Sequence, residues 1–158
     1  MVQVREEYQR VYSVQFADQL GEGKDGYVLK TRSGHAVKFV IDLSVYQREA
    51  RAYEILRRLA VEEVSGFQIP KLIRKDDSLQ AIEMTIVQPP FILDFAAAYT
   101  RREYERLAFT EEVLQERLEH WMEVFEEKWR TVRDLRDEFE RRTGLILLDL
   151  SLNNIRFQ

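Results

Sequence analysis

The sequence contains no cysteine, which excludes disulfide cross-links, thiolate metal sites and thiol nucleophiles. Its two histidines, His35 and His120, are too few for a histidine metal centre. With three prolines and six glycines there is no Pro- or Gly-rich linker, and we find no internal repeat or low-complexity tract. No run approaches the roughly 20 apolar residues of a membrane-spanning helix. The N-terminal segment MVQVREEYQR also lacks the apolar centre of a signal peptide. A cytoplasmic protein with no membrane partner is expected. Positive charge is in deficit too: 24 Lys and Arg stand against 28 Asp and Glu, for a net charge of -4. That balance argues against a nucleic-acid partner held by general electrostatics.

What the sequence does have is enough apolar surface for a core. Hydrophobic residues make up 45% and aromatics 11% of 158 residues, a length that accommodates one compact domain or two small lobes. Ser13 to Leu20, the alternating Tyr27 to Thr31, and Ala36 to Ile41 read as strands separated by tight turns, which predicts an antiparallel meander. Val45, Ala52, Tyr53, Leu56 and Leu59 recur at helical spacing from about Ser44 to Ala60, with Asp42 or Ser44 as N-cap. Gly66 ends this helix or follows it closely. Phe67 to Ile73 reads as a strand interrupted by Pro70, and Leu79 to Val87 as a buried strand that Pro89 and Pro90 stop. A lobe boundary is expected there, dividing residues 1–88 from 89–158.

Phe91 to Tyr104 reads as helical. Thr110 then caps a helix whose apolar stripe runs from Leu114 through Trp121, Phe125, Trp129 and Leu135 to Phe139, uninterrupted until Gly144. Leu145 to Leu148 is a short strand or buried turn. The long stripe packs as core, and any part of it left uncovered is a surface for a second copy or a protein partner.

Four places could carry chemistry. Gly21-Glu22-Gly23-Lys24-Asp25-Gly26-Tyr27-Val28 spells G-x-G-x-x-G-x-V between two strands. It is either a flexible hairpin or a loop whose backbone N–H groups cover phosphates; a strand rather than a helix follows, which disfavours a dinucleotide crossover. Lys38 sits mid-strand among apolar residues, where an ammonium is costly unless paired or on a solvent face. Glu49, in the following helix, is either its partner or part of a solvated face, with Glu54 a competitor. Asp149 and Asn154 form D-x-x-x-x-N after an apolar run, a spacing common in caps and turns. It also suits a carboxylate that accepts a hydroxyl proton beside a carboxamide that ligates magnesium.

Taken in order, glycine loop, strand lysine, helix glutamate, proline-broken hinge, long helix and D-x-x-x-x-N resemble the protein-kinase-like superfamily. REARAYEIL, QIPKLI and LLDLSLNNIRF look most like its small, divergent microbial members. The resemblance implies an α+β fold: an antiparallel β N-lobe with one helix, and a truncated, mainly helical C-lobe. It implies ATP and Mg2+ between them. Gly21, Gly23 and Gly26 with Val28 would cover the nucleotide, Lys38 would contact phosphate, and Glu49 would hold Lys38. Asp149 would be the catalytic-loop aspartate, Asn154 and Asp149 metal ligands, and Ile155 and Phe157 a strand beneath the nucleotide. The sequence departs from that pattern in three ways. Leu147-Leu148-Asp149 replaces H-R-D, Ser151 stands where a lysine is usual, and no D-F-G aspartate follows Asn154. The family impression makes Gln158 a natural end. The alternatives are a pseudokinase that senses nucleotide or binds a partner, and an unrelated α+β domain in which Lys38 and Asp149 lie far apart.

Overall fold

The computed structural model describes residues 2–158. In chain order its elements are α1 (Val2–Tyr12), β1 (Phe16–Gly23), β2 (Gly26–Thr31), β3 (His35–Val40), α2 (Leu43–Arg58), β4 (Glu63–Val64), β5 (Phe67–Gln68), β6 (Leu72–Asp76) and β7 (Ala81–Thr85). There follow β8 (Phe91–Ile92), β9 (Ala98–Thr100), α3 (Arg101–Arg106), α4 (Glu111–Phe125), α5 (Trp129–Thr143), β10 (Leu145–Leu147) and β11 (Ile155–Arg156). Five strands form one antiparallel sheet in the order β1-β2-β3-β7-β6. The expected meander is its first three strands.

Both faces of this sheet are covered, which is why β3 reads as a nearly continuous apolar run rather than a clean alternation. Ala36 and Val40 pack on one face against a core shared with Tyr46, Ala50 and Tyr53 of α2. Val37 and Phe39 pack on the other face, in a cluster with Tyr8 of α1 and Phe16. The α1 helix was absent from the sequence expectation, although Val4, Tyr8 and Tyr12 carry the i, i+4 stripe that docks it. Tyr8 is fully buried, and its hydroxyl donates to Glu83 Oε2 at 2.8 Å. Glu83, 1% exposed on β7, also meets Arg74 Nε at 2.8 Å and His35 Nδ1 at 2.8 Å. Burial, followed by this carboxylate, pushes the Tyr8 hydroxyl well above its ordinary pKa.

Asp42 caps α2 as expected, accepting from the N–H of Ser44 at 2.8 Å and of Val45 at 3.0 Å. Gly66 lies beyond this helix, in the turn between β4 and β5. Residues 91–104 correct the sequence reading: they form two short strands, a turn and α3 rather than one helix. The Ala-rich FAAAY segment favours helix locally, but β8 pairs antiparallel with β11 and β9 with β10, and those distant partners decide. A second sheet, β11-β8-β5-β4, therefore draws strands from both sides of residue 88.

The long helix is also corrected. A 3-10 turn at Glu126–Lys128 divides it, with Glu126 at φ 47. No proline or glycine marks the break. Trp121 and Trp129 stack with centroids 6.2 Å apart, whereas eight residues of straight helix climb about 12 Å. The bend brings Trp121 and Phe125 of α4 and Val132, Leu135 and Phe139 of α5 into one core. It leaves Val113, Leu114 and Met122 exposed on α4. Among the described residues no helix is long and apolar enough to cross a membrane.

Candidate functional site

The glycine segment is a hairpin in which Gly23 pairs with Gly26 and Gly21 with Val28. A side chain at Gly21 or Gly23 would meet nothing within 4 Å, so the backbone there borders open space. Gly26 differs: at φ +153, a Cβ would lie 1.9 Å from the Phe39 carbonyl oxygen of β3. Gly26→Ala is expected to cost about 1–3 kcal/mol by forcing β2 off β3, measured by denaturant unfolding.

Below the hairpin lies a cavity of about 830 Å³. Gly21, Gly23, Gly26, Val28, Lys38, Glu49, Asp149 and Asn154 all line it. The structure thus places every candidate site residue, Lys38 and Asp149 included, on the wall of one cavity. Ile155 is buried in the core and is not in the cavity wall. Phe157 lies instead in a separate surface pocket, edge-on to Phe67 at 5.3 Å.

Alternation along β3 sends Lys38 to the α2 side, where its Nζ lies 2.9 Å from Glu49 Oε1 and 2.8 Å from Oε2. Glu54, the competitor, pairs with Lys75 at 3.2 Å. Glu49 is 1% exposed, and burial pushes its carboxyl up to about 7 against the opposing pull of Lys38. For Lys38, burial favours the neutral amine, but Glu49 and Asp94 outweigh it and shift its pKa upward. The lysine is therefore charged across the neutral range.

Asp94 is the functional candidate that sequence reading missed. Its Oδ1 accepts from Lys38 Nζ at 3.2 Å and from the Ala96 N–H at 3.0 Å. The residue itself is left-handed, with φ 64. The guanidinium of Arg48, next to Glu49 on α2, donates to the Ala96 carbonyl and clamps this turn. Phe95 anchors it from the other side, edge-on to Tyr53 at 5.2 Å and stacked on Phe139 at 5.7 Å. The available signal was a lone carboxylate inside the apolar run FILDFAAAY, where a charge is costly without a partner.

Asp149 is exposed at the cavity, and Asn154 is 8% exposed behind it. Asn154 Nδ2 donates to Asp149 Oδ2 at 2.8 Å and to the Asp149 carbonyl at 3.2 Å. A buried carboxamide thus fixes the carboxylate's orientation. The same contacts close the turn from Asp149 to Asn154, the turn role that was the other reading of its spacing.

No family model and no curated protein matches the chain. Among solved structures, it is similar to APH(2'')-IIa in a ternary complex with streptomycin and ATP. Identity is 19%, covering 71% of this chain and 35% of that one, with a TM-score of 0.45. It is also similar to the aminoglycoside phosphotransferase APH(2'')-Ib bound to ADP, at 20% identity over 70% of this chain and 33% of that one, with a TM-score of 0.46. The chain spans about a third of the length of these structures. Its α+β fold carries the features that the sequence resemblance implies: a glycine hairpin bordering a cavity, and a strand lysine paired with a helix glutamate in the wall of that cavity.

Proposed function

We propose that the chain binds ATP in this cavity and is a kinase-like phosphotransferase acting on a hydroxyl-bearing small molecule or protein. The observation that carries the reading is the gathering of eight dispersed residues, Gly21 to Asn154, around one 830 Å³ space. A drug-sized ligand fits a cavity of this volume. The hairpin backbone at Gly21, Gly23 and Gly26 lies over the phosphates, and Val28 and Met84 line the apolar walls that take the base. Lys38, held by Glu49, presents its ammonium to phosphate oxygens.

Asp149, oriented by Asn154, accepts the proton of the attacking hydroxyl as its oxygen bonds to the γ-phosphorus and the bond to the β-phosphate oxygen breaks. Carboxylate and carboxamide oxygens at Asp94, Asp149 and Asn154 are the hard donors magnesium takes, and the ion would neutralise charge developing on the transferred group.

Titration calorimetry with ATP, with and without Mg2+, tests the reading. Binding in the micromolar to low millimolar range, roughly -8 to -4 kcal/mol, is expected for the unmodified chain and none for Lys38→Ala. Absence of heat under both metal conditions would sink it. Binding without phosphate transfer would instead favour a pseudokinase that senses nucleotide.

A further inference from the structure

The D-x-x-x-x-N segment supplies one carboxylate and one neutral carboxamide, a thin set for a magnesium nucleotide. The fold supplies a second carboxylate from the opposite direction along the chain. The β11 strand, immediately after Asn154, pairs antiparallel with β8, and the Leu93 N–H donates to the Asn154 carbonyl at 2.7 Å. The residue after Leu93 is Asp94. A segment about sixty residues upstream is thereby hydrogen-bonded to the very residue that needs a partner.

The polar atoms of the two residues are used in complementary ways. Both contacts to Asp94 go to Oδ1, so Oδ2 accepts from no donor among the described residues. Both contacts from Asn154 come from Nδ2, so Oδ1 likewise accepts from none among them. Asn154 is more than nine-tenths buried, yet it lines the same cavity as Asp94 and Asp149. Charge points the same way. The cavity wall carries five carboxylates (Glu22, Asp25, Glu49, Asp94 and Asp149) against two ammoniums, Lys24 and Lys38. A triphosphate entering so acidic a cavity needs a cation to offset repulsion.

Building on the ATP reading, we propose that Asp94 and Asn154 together hold the divalent cation of a metal–nucleotide complex. This metal-ligating carboxylate would thus lie upstream of the D-x-x-x-x-N segment in the chain. Among the described residues, no group of three or more Asp, Glu, His or Cys side chains could hold a metal ion. Two protein ligands are a weak site on their own, so phosphate oxygens and waters would complete the coordination and the cation would bind with the nucleotide rather than before it. On its arrival Asp94 keeps its turn through the Ala96 N–H and turns its free oxygen to the metal, while Lys38 meets phosphate.

The experiment compares ATP affinity in EDTA and in Mg2+ for the unmodified chain and for Asp94→Asn, an isostere whose folding is checked by its thermal transition. Mg2+ is expected to tighten ATP binding to the unmodified chain by roughly 10- to 100-fold, and Asp94→Asn to lose most of that gain while still binding ATP in EDTA. A second measurement needs no substitution. In amide NMR spectra, paramagnetic Mn2+ with ATP is expected to broaden Leu93 to Ala96 together with Asn153 to Ile155, and Mn2+ without ATP to broaden neither.

Binding that ignores Mg2+, an Asp94→Asn variant with the unmodified ratio, or broadening confined to Asp149 and its neighbours would overturn this proposal and leave ATP binding standing. No ATP binding in either condition would overturn both.

Discussion

Lys38→Met is expected to unfold about 3–5 kcal/mol more easily than the unmodified chain near pH 9, with most of that deficit gone near pH 5. The ammonium lies between a carboxyl that is 1% exposed and a second, Asp94, whose side chain is 33% exposed. Removing one partner of a buried ion pair leaves a charge that neither water nor protein stabilises. Glu49 can escape that state only by holding a proton. Its ordinary value is 4.5, and burial raises it to about 7 in the folded chain even with Lys38 present. Without the ammonium the folded value moves higher still.

A folded state that binds a proton more tightly than the unfolded one has that stability in full below the unfolded value. It loses it as pH rises through the folded value. The unmodified chain stops losing stability from this source near 7, whereas the variant goes on losing it above, so the gap opens in the alkaline direction. Urea unfolding at several pH values measures it. Adding Glu49→Gln to Lys38→Met should flatten the pH dependence, since an amide has no proton to lose. A deficit of equal size at both ends of the range would mean that packing of the lysine stem, not charge, is what was lost.

The pair at the centre of this prediction was legible in the sequence because both of its residues sit in elements with strong local signals. Lys38 lies in a strand bounded by turns, and Glu49 in a helix with a clear cap. The glycine hairpin was readable for the same reason. Asp94 was not, because its position depends on strand pairs of two and three residues, too short to leave a periodic trace. The Ala-rich local sequence around it argued for helix instead. The break at Glu126 was hidden in a comparable way: the apolar spacing from Trp121 to Phe139 is the same for one straight helix as for two that fold towards one another. What decides between them is the shared core, which contains residues from α2, β3, β7 and β10 as well as α4 and α5. The α1 helix did carry a readable stripe, but nothing local says that the outer face of the sheet needs a cover.

Phe95→Ala is expected to lower stability by about 3–5 kcal/mol and also to weaken the magnesium-dependent part of ATP binding, although it leaves Asp94 in place. The ring is fully buried, and it stacks almost parallel to Phe139 of α5 at 6° while presenting its edge to Tyr53 of α2. Tyr53 stands about one helical turn after Glu49. A single side chain therefore ties the helix that positions Lys38 to the helix that precedes β10 and the Asp149 loop. It also holds the neighbouring Asp94 in a left-handed conformation that a non-glycine residue adopts only at a cost of about 1–3 kcal/mol. Without the ring, the turn at 94–96 keeps its polar contacts, from Lys38 and the Ala96 N–H to Asp94 and from Arg48 to the Ala96 carbonyl, but loses its apolar anchor, and Asp94 can relax away from Asn154.

Phe95→Leu separates the two consequences. It preserves most of the apolar volume, so the stability loss should fall to below about 1.5 kcal/mol. If the ring stack is what fixes Asp94, the magnesium effect on ATP affinity should still be reduced in the leucine variant. If Phe95 only fills the core, Phe95→Leu should show the unmodified ratio of affinities with and without Mg2+, and any loss in Phe95→Ala should track its unfolded fraction.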